Sequence, residues 1–348
     1  MVLAWFKTMT VNQCEQMNCS IDHTLDKNLF PPFFSILFII SIPANCASLF
    51  ISICQVKKKN ELGVYLLNLS IADLLYTLTL PMWIHYALKS DNWVLPKNVC
   101  IFSTFLTFLN YYTSSGFLAC ISIDRYLAVV HPLKFHYFRT RRCASTVSIL
   151  VWAFEIISNV QILRHTDFFP HAHNDSNHSI CYDVYPLQQW QAELNLYRIC
   201  VGYAVPLAII VFCYQKIYRA VKHNQATEDR DKKKINHLLL SIIVTFFVCF
   251  TPYHVVLLIR SISEPCNCPF ALKMFKPYRI ATVVTSLNCI ADPILYCFVS
   301  ETGRADIWNI VKCGSSATQT DAQNSQNIAV SKMSQDTSTK NRESTTLL

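Results

Sequence analysis

The chain has 348 residues, of which 52% are hydrophobic and only 15% charged. Soluble domains carry roughly 25% charged residues, so this balance excludes an ordinary soluble domain and points to lipid. The formal net charge of +8 marks membrane topology rather than a nucleic-acid partner, because the basic residues sit in short loops between apolar runs.

A bilayer-spanning helix needs about 20 mostly apolar residues. The sequence predicts seven, at about 33–56, 63–88, 98–130, 143–163, 194–215, 235–262 and 278–299. Residues 1–32 form an extracellular N-terminal segment without the apolar core and small-residue cleavage site of a signal peptide, so the first helix is expected to act as an uncleaved insertion signal. The first span contains Asn45, and Lys57–Lys59 follow it. The second contains Asn68 and Asp73. The third opens at Cys100 and closes on Asp124-Arg125-Tyr126, with Lys134, Arg139, Arg141 and Arg142 beyond it. Trp152 and Glu155 lie in the fourth, Pro206 and Tyr214 in the fifth, and a basic loop including Lys232–Lys234 follows. The sixth carries Phe250-Thr-Pro252-Tyr and His254, and the seventh Asp292-Pro-Ile-Leu-Tyr296. Beside the seven-helix domain, 33–300, little chain remains, and no second domain is expected. Residues 301–313 place Ile307, Ile310 and Val311 on one face and end at Cys313, a context for a palmitoylated interfacial helix. Residues 314–348 are rich in Ser, Thr, Asn and Gln and are expected to be a disordered tail. The expected fold is an all-α membrane protein, a seven-helix bundle with a short amphipathic eighth helix.

The three basic loops fall on one side if the spans alternate, and short basic loops stay cytoplasmic. The N-terminus is therefore expected outside and the tail inside. The glycosylation acceptors at Asn18, Asn174 and Asn177 all land on the outer side. Of 16 cysteines, Cys14, Cys19, Cys100, Cys181, Cys266 and Cys268 fall outside or at the outer edge, and the others lie where thiols stay reduced. Spacing alone leaves their pairing open, Cys19 with Cys268 being one arrangement.

Polar residues inside apolar spans are costly and need a reason. Asn45, Asp73, Asp124-Arg125-Tyr126, Trp152, Pro206, Tyr214, Pro252 and Asp292-Pro-Ile-Leu-Tyr296, each in its span and in this order, resemble the rhodopsin-like receptor family across the seven-helix region. The resemblance implies a plasma-membrane receptor that couples to a heterotrimeric G protein, with receptor kinases and arrestin as partners at the phosphorylated tail. It implies a Cys100–Cys181 disulfide, and it implies that Arg125 is held by Asp124 at rest and released when the sixth helix swings out. Pro252 would permit the swing by freeing a backbone carbonyl, and Tyr214 and Tyr296 would support the open form. The chain also departs from the family. Lys232–Lys234 stand where many relatives place an acid that clamps the arginine, Thr107 stands where amine receptors carry an aspartate, and Phe250 replaces a tryptophan. Asp292 stands where most relatives have asparagine.

That last departure bears on the ligand. Asp73 and Asp292 are expected to face each other, and two carboxylates in a poorly solvated site cannot both ionise cheaply. The bland reading of Asp73 is a sodium site, and of Glu155 a packing residue; with Asp292 added, the set Asp73, Glu155 and Asp292 points to proton sensing. His254 in the core and His23, His85, His165, His171, His173 and His178 at the mouth add imidazoles, whose unperturbed pKa of about 6.5 lies in the physiological window. One proton contributes about 1.4 kcal/mol per pH unit, whereas switching a population takes roughly 3–5 kcal/mol. Several coupled sites are therefore needed. A zinc site from His171 and His173 with Cys266 or Cys268 lacks a firm ligand pattern, and no cofactor is expected beyond protons and a sodium ion near Asp73.

Lys59-Asn-Glu-Leu-Gly-Val-Tyr-Leu, Asp91-Asn-Trp, Tyr185-Pro-Leu-Gln-Gln-Trp, Thr285-Ser-Leu-Asn-Cys-Ile-Ala-Asp-Pro-Ile-Leu-Tyr and Glu301-Thr-Gly-Arg look like the acid-sensing receptor subfamily. His223-Asn-Gln-Ala-Thr-Glu and Leu194-Asn-Leu-Tyr-Arg favour its T-cell death-associated (psychosine receptor) branch. This resemblance implies activation by extracellular acid and coupling to the stimulatory G protein, which raises cyclic AMP. It places the core acidic triad on Asp73, Glu155 and Asp292, and a helix-six histidine on His254. A receptor for a lysolipid or other small ligand, with protons as modulator and membrane lipids as partners, is the alternative. A channel or transporter would also place charges in the membrane, but the sequence shows no evident repeats. No metal-ligand or nucleophile constellation suggests an enzyme.

Overall fold

The structure is a computed structural model and describes residues 19, 21–164, 179–223 and 229–299. All regular structure among these residues is helical, arranged as seven rods. They are α1 (Thr24–Lys57), α2 (Leu62–Leu88), α3 (Lys97–Val130), α4 (Arg141–Arg164), α5 (189–223), α6 (229–263) and α7 (268–299). A chain in lipid must satisfy its backbone internally, and a helix does so within one segment. By length and composition α1, α2, α4, α5 and α6 each qualify to cross a membrane. Ile39, Ile149, Ile157, Phe212 and Ile262 project from these rods as exposed apolar side chains, the covering that a lipid-facing surface requires.

Several rods start earlier than their apolar runs. α1 begins at Thr24 rather than near 33, since Asp26 in its first turn is buried against Arg279 of α7 at 2.8 Å. α7 begins at Cys268 rather than near 278. There Asn267 caps the helix by accepting from the Phe270 amide at 3.2 Å, and Pro269 occupies the first turn, a standard start signal. Lys273 and Lys276 lie in this earlier stretch, outside the apolar run. α2 is interrupted at Leu78–Thr79, just before Pro81, which has no amide hydrogen to continue the ladder.

Prolines inside the other rods free carbonyls four residues earlier, and side chains on neighbouring helices take them up. Pro293 frees the Cys289 carbonyl, which accepts from Asn45 Nδ2 at 2.8 Å. Pro206 frees the Gly202 carbonyl, which accepts from Ser115 Oγ at 2.8 Å. Before Pro252, α6 widens into a π-helical stretch, Phe246–Phe250, and Thr285 Oγ1 of α7 donates to the Cys249 carbonyl within it at 2.8 Å. Helix breakers thus become helix-to-helix ties.

The interior divides into two clusters. One, near Asp124, packs Leu66, Leu69, Phe117, Ile121, Ile242 and Phe246. The other, toward the disulfides, is tyrosine-rich and packs Phe34, Tyr76, Tyr111, Tyr253 and Tyr278. Cys100–Cys181 pins the loop after α4 to α3, and Cys19–Cys268 ties the N-terminal segment to α7. Both pairings match the sequence expectation, the second having been one of several arrangements.

Candidate functional site

The core layer is built from α2, α3 and α7. Asp73 and Asp292 are both fully buried. Asp73 Oδ1 accepts from Asn110 Nδ2 at 2.9 Å, and Asn110 is steadied by Ser114 at 3.3 Å and Asn288 at 3.4 Å. Asp73 Oδ2 and both oxygens of Asp292 have no hydrogen-bond partner. The Asp73 carboxyl acts electrostatically on Asp292, and among the described residues no basic side chain pairs with either. Buried carboxylate oxygens without donors are expensive. Such a set can hold a proton or a small cation, and the like charges make proton uptake cooperative with relief of repulsion.

Glu155 on α4 lies apart from this pair. It is buried, and its charged neighbour is Arg198 of α5 rather than an aspartate. Arg198 donates to Tyr182 Oη at 3.0 Å and to Asn159 Oδ1 at 3.2 Å, and sits over the Phe108 ring at 4.0 Å. The structure therefore brings Asp73 and Asp292 together and sets Glu155 in a separate crevice between α3, α4 and α5. His254 is nearly inaccessible on α6. Its Nδ1 lies 2.8 Å from the Phe250 carbonyl and so carries hydrogen, its ring stacks on Tyr203 at 4.4 Å, and Nε2 has no partner.

The mouth layer centres on Arg279, which the sequence reading did not single out, although an arginine in an apolar helix is itself a signal. Arg279 donates to Asp26 at 2.8 Å, Asp183 at 2.7 Å and Asp91 at 3.3 Å. His23 Nδ1 lies 2.7 Å from Asp91 and 4.0 Å from Asp26. Burial opposes charge on His23, but the carboxylates of Asp26 and Asp91 prevail and raise its pKa to about 9. Burial pushes the Asp91 carboxyl up to about 6, with Arg279 opposing it. Around pH 7 His23 is thus a cation in this arrangement, while burial draws the Asp91 carboxyl toward its neutral form. His85 is half-buried on α2. His165, His171, His173 and His178 lie outside the described residues, as do Asn18, Asn174, Asn177, Cys14, Cys313, the 301–313 helix and the tail.

Between mouth and core lies a cavity of about 580 Å³ counting its open entrance. Its walls include Phe34, Tyr76, Trp83, Phe108 and Tyr253, with Asp183 and Arg279 at the rim. A concave, aromatic site with few polar groups suits a small organic ligand. A second unanticipated pair, Arg260 and Glu264, is fully buried at the end of α6. Glu264 accepts from the Leu187 amide at 3.2 Å, and Arg260 sits over the Tyr278 ring at 4.0 Å. It joins the loop before α5 to α6 and α7.

At the opposite end, Arg125 donates through Nε to Asp124 Oδ2 at 3.0 Å and again through a terminal nitrogen. Arg139, in the loop after α3, reaches Asp124 Oδ1 at 3.3 Å and pairs with Glu61 at the start of α2. Tyr126 Oη lies 3.1 Å from His131 Nε2. Tyr214 is half-buried and stacked on Tyr218. Pro252 sits in the first turn of the α6 segment that follows the π-helical stretch. The side chains of Tyr296 and Lys232–Lys234 are outside the described set.

A family model described as "7 transmembrane receptor (rhodopsin family)" matches residues 44–296. The human protein named G-protein coupled receptor 65 is 51% identical over 83% of this chain and 88% of its own length. Human G-protein coupled receptor 68 is 44% identical over 84% of this chain and 79% of its own length. Mouse lysophosphatidic acid receptor 6 is 31% identical over 82% of this chain and 84% of its own length.

Proposed function

The chain belongs to the rhodopsin family of seven-transmembrane receptors, and from that premise we propose that protons outside the cell are its activating ligand. It is a multi-pass membrane receptor that couples to heterotrimeric G proteins, and not an enzyme. The reading rests on the three unpartnered carboxylate oxygens of Asp73 and Asp292. The basic loops support an orientation with the Cys19–Cys268 end outside.

The activating step in this reading is uptake of a proton by the Asp73–Asp292 pair. Uptake removes the like-charge repulsion between α2 and α7, and α7 is tied to the π-helical stretch of α6 through Thr285. A shift of α7 is therefore felt at the α6 hinge beside Pro252. His254, one turn beyond the hinge carbonyls, has a ring nitrogen without a hydrogen-bond partner. Asp91 supplies a further carboxyl at the mouth. More than one proton site is what switching a population requires. Resemblance to the acid-sensing subfamily supports stimulatory coupling and a rise in cyclic AMP, with receptor kinases and arrestin acting on the tail.

Two other occupants fit particular observations. The same orphaned oxygens suit a sodium ion, which would compete with protons. The aromatic cavity and the likeness to a lysophosphatidic acid receptor favour a small amphiphile as co-ligand. Cells expressing the chain should raise cyclic AMP as outside pH falls from about 7.5 to about 6.5 in lipid-free medium. A flat response with normal surface expression would remove the proton from the role of ligand.

A further inference from the structure

The family's usual acid clamp on α6 is replaced by Lys232–Lys234, so the quiescent form of this receptor needs another restraint. The loop after α3 supplies one. Asp124 is approached by two guanidinium groups on different oxygens, Arg125 from its own helix on Oδ2 and Arg139 from the loop on Oδ1. Arg139 continues to Glu61 in the turn that opens α2. Two carboxylates and two arginines thus form one neutral cluster across α2, α3 and the loop. The side chain of Asp124 is 6% exposed, that of Glu61 17% and that of Arg139 20%, so water screens the cluster only in part. Arg141, the first residue of α4, donates to the Val56 carbonyl at the end of α1 at 3.1 Å, so the far end of the loop is also held to the bundle.

We infer that Arg139 is the positioning residue of the quiescent receptor: by bridging Glu61 and Asp124 it fixes the carboxylate on which Arg125 folds back and holds the loop across the G-protein face. An arginine suits this role because its planar fork can serve two carboxylates at once. Activation must then break a bridge on the α2–α3 side of the bundle, in addition to moving α6. Any engagement of the loop by a G protein competes directly with Glu61 for Arg139.

The inference rests on G-protein coupling and not on protons, so it is read without acid. Receptor in membranes at pH 8 is assayed for basal nucleotide exchange on a panel of G proteins, at matched surface level. Arg139→Ala and Glu61→Gln should each raise basal exchange by about fivefold, within the usual range of coupling between sites. Damage to folding would lower exchange rather than raise it. The double variant should match either single variant, because both remove the same bridge, and Arg139→Lys should restore part of the restraint. Unchanged basal exchange in both single variants would overturn the inference, and so would additive effects in the double variant.

Discussion

Replacing Asp292 with asparagine should give a receptor whose activation curve is flatter and lies about one pH unit to the alkaline side of the wild type. The substitution is sterically mild. Neither Asp292 oxygen has a hydrogen-bond partner to lose, and asparagine has the shape of a protonated aspartate. It stands permanently in the state that a proton would otherwise have to create, so the variant is already part of the way to the active form. A displacement of one pH unit corresponds to about 1.4 kcal/mol, the contribution of one proton. The flatter slope follows from linkage, since the slope counts the protons taken up between the two states. The curve is read as cyclic AMP against outside pH at matched surface expression. An unchanged midpoint and slope would take the Asp73–Asp292 pair out of the mechanism.

The largest loss of stability is expected at the mouth. Arg279→Met keeps the length of the side chain but removes the only guanidinium that Asp26, Asp91 and Asp183 share among the described residues. Arg279, Asp26 and Asp91 have side chains 7%, 0% and 3% exposed, so water cannot replace the lost partner. Removing one member of a buried ionic cluster costs about 3–5 kcal/mol, because the remaining charges stay buried and unpaired. In a domain of this size that lowers the melting temperature on the order of 10 °C. The same cluster carries a pH signature. His23 has a folded-state pKa raised to about 9, so its contribution is fully present below its unfolded value of about 6.5 and is lost as pH rises through about 9. Purified wild-type receptor should therefore lose stability between those values, and His23→Gln should lack that alkaline limb. Equal melting curves for wild type and both variants would contradict this account of the mouth.

The elements that a sequence reveals here are those with local or motif-bound signals. Seven apolar runs, Asp124-Arg125-Tyr126, Asp292 and the prolines are all legible, because each is costly in lipid and sits at a recognisable place. Pairings between distant segments are not. Arg279 unites residues separated by 96 to 253 positions, and nothing in the neighbourhood of any one of them announces the others. Glu155 illustrates the converse. Its type and span suggest membership of one acidic set, yet the rotation of α4 turns it toward Arg198. α7 starts well before its apolar run, at a point where Asn267 and Pro269 carry a start signal. His23 reads as a titrating imidazole until Asp26 and Asp91 are placed beside it, when it becomes a standing cation.

The central claim is that protons acting on the receptor itself are sufficient for activation. Purified receptor is placed with its G protein in phosphatidylcholine vesicles free of lysolipid, and nucleotide exchange is followed as pH on the mouth side is lowered from 8 to 6. Acid alone should raise exchange with a midpoint near pH 7, and the Asp73→Asn, Asp292→Asn double variant should show a much shallower dependence on pH than the wild type. Exchange that stays flat in acid, or that rises only when a lysolipid is added, would contradict the account.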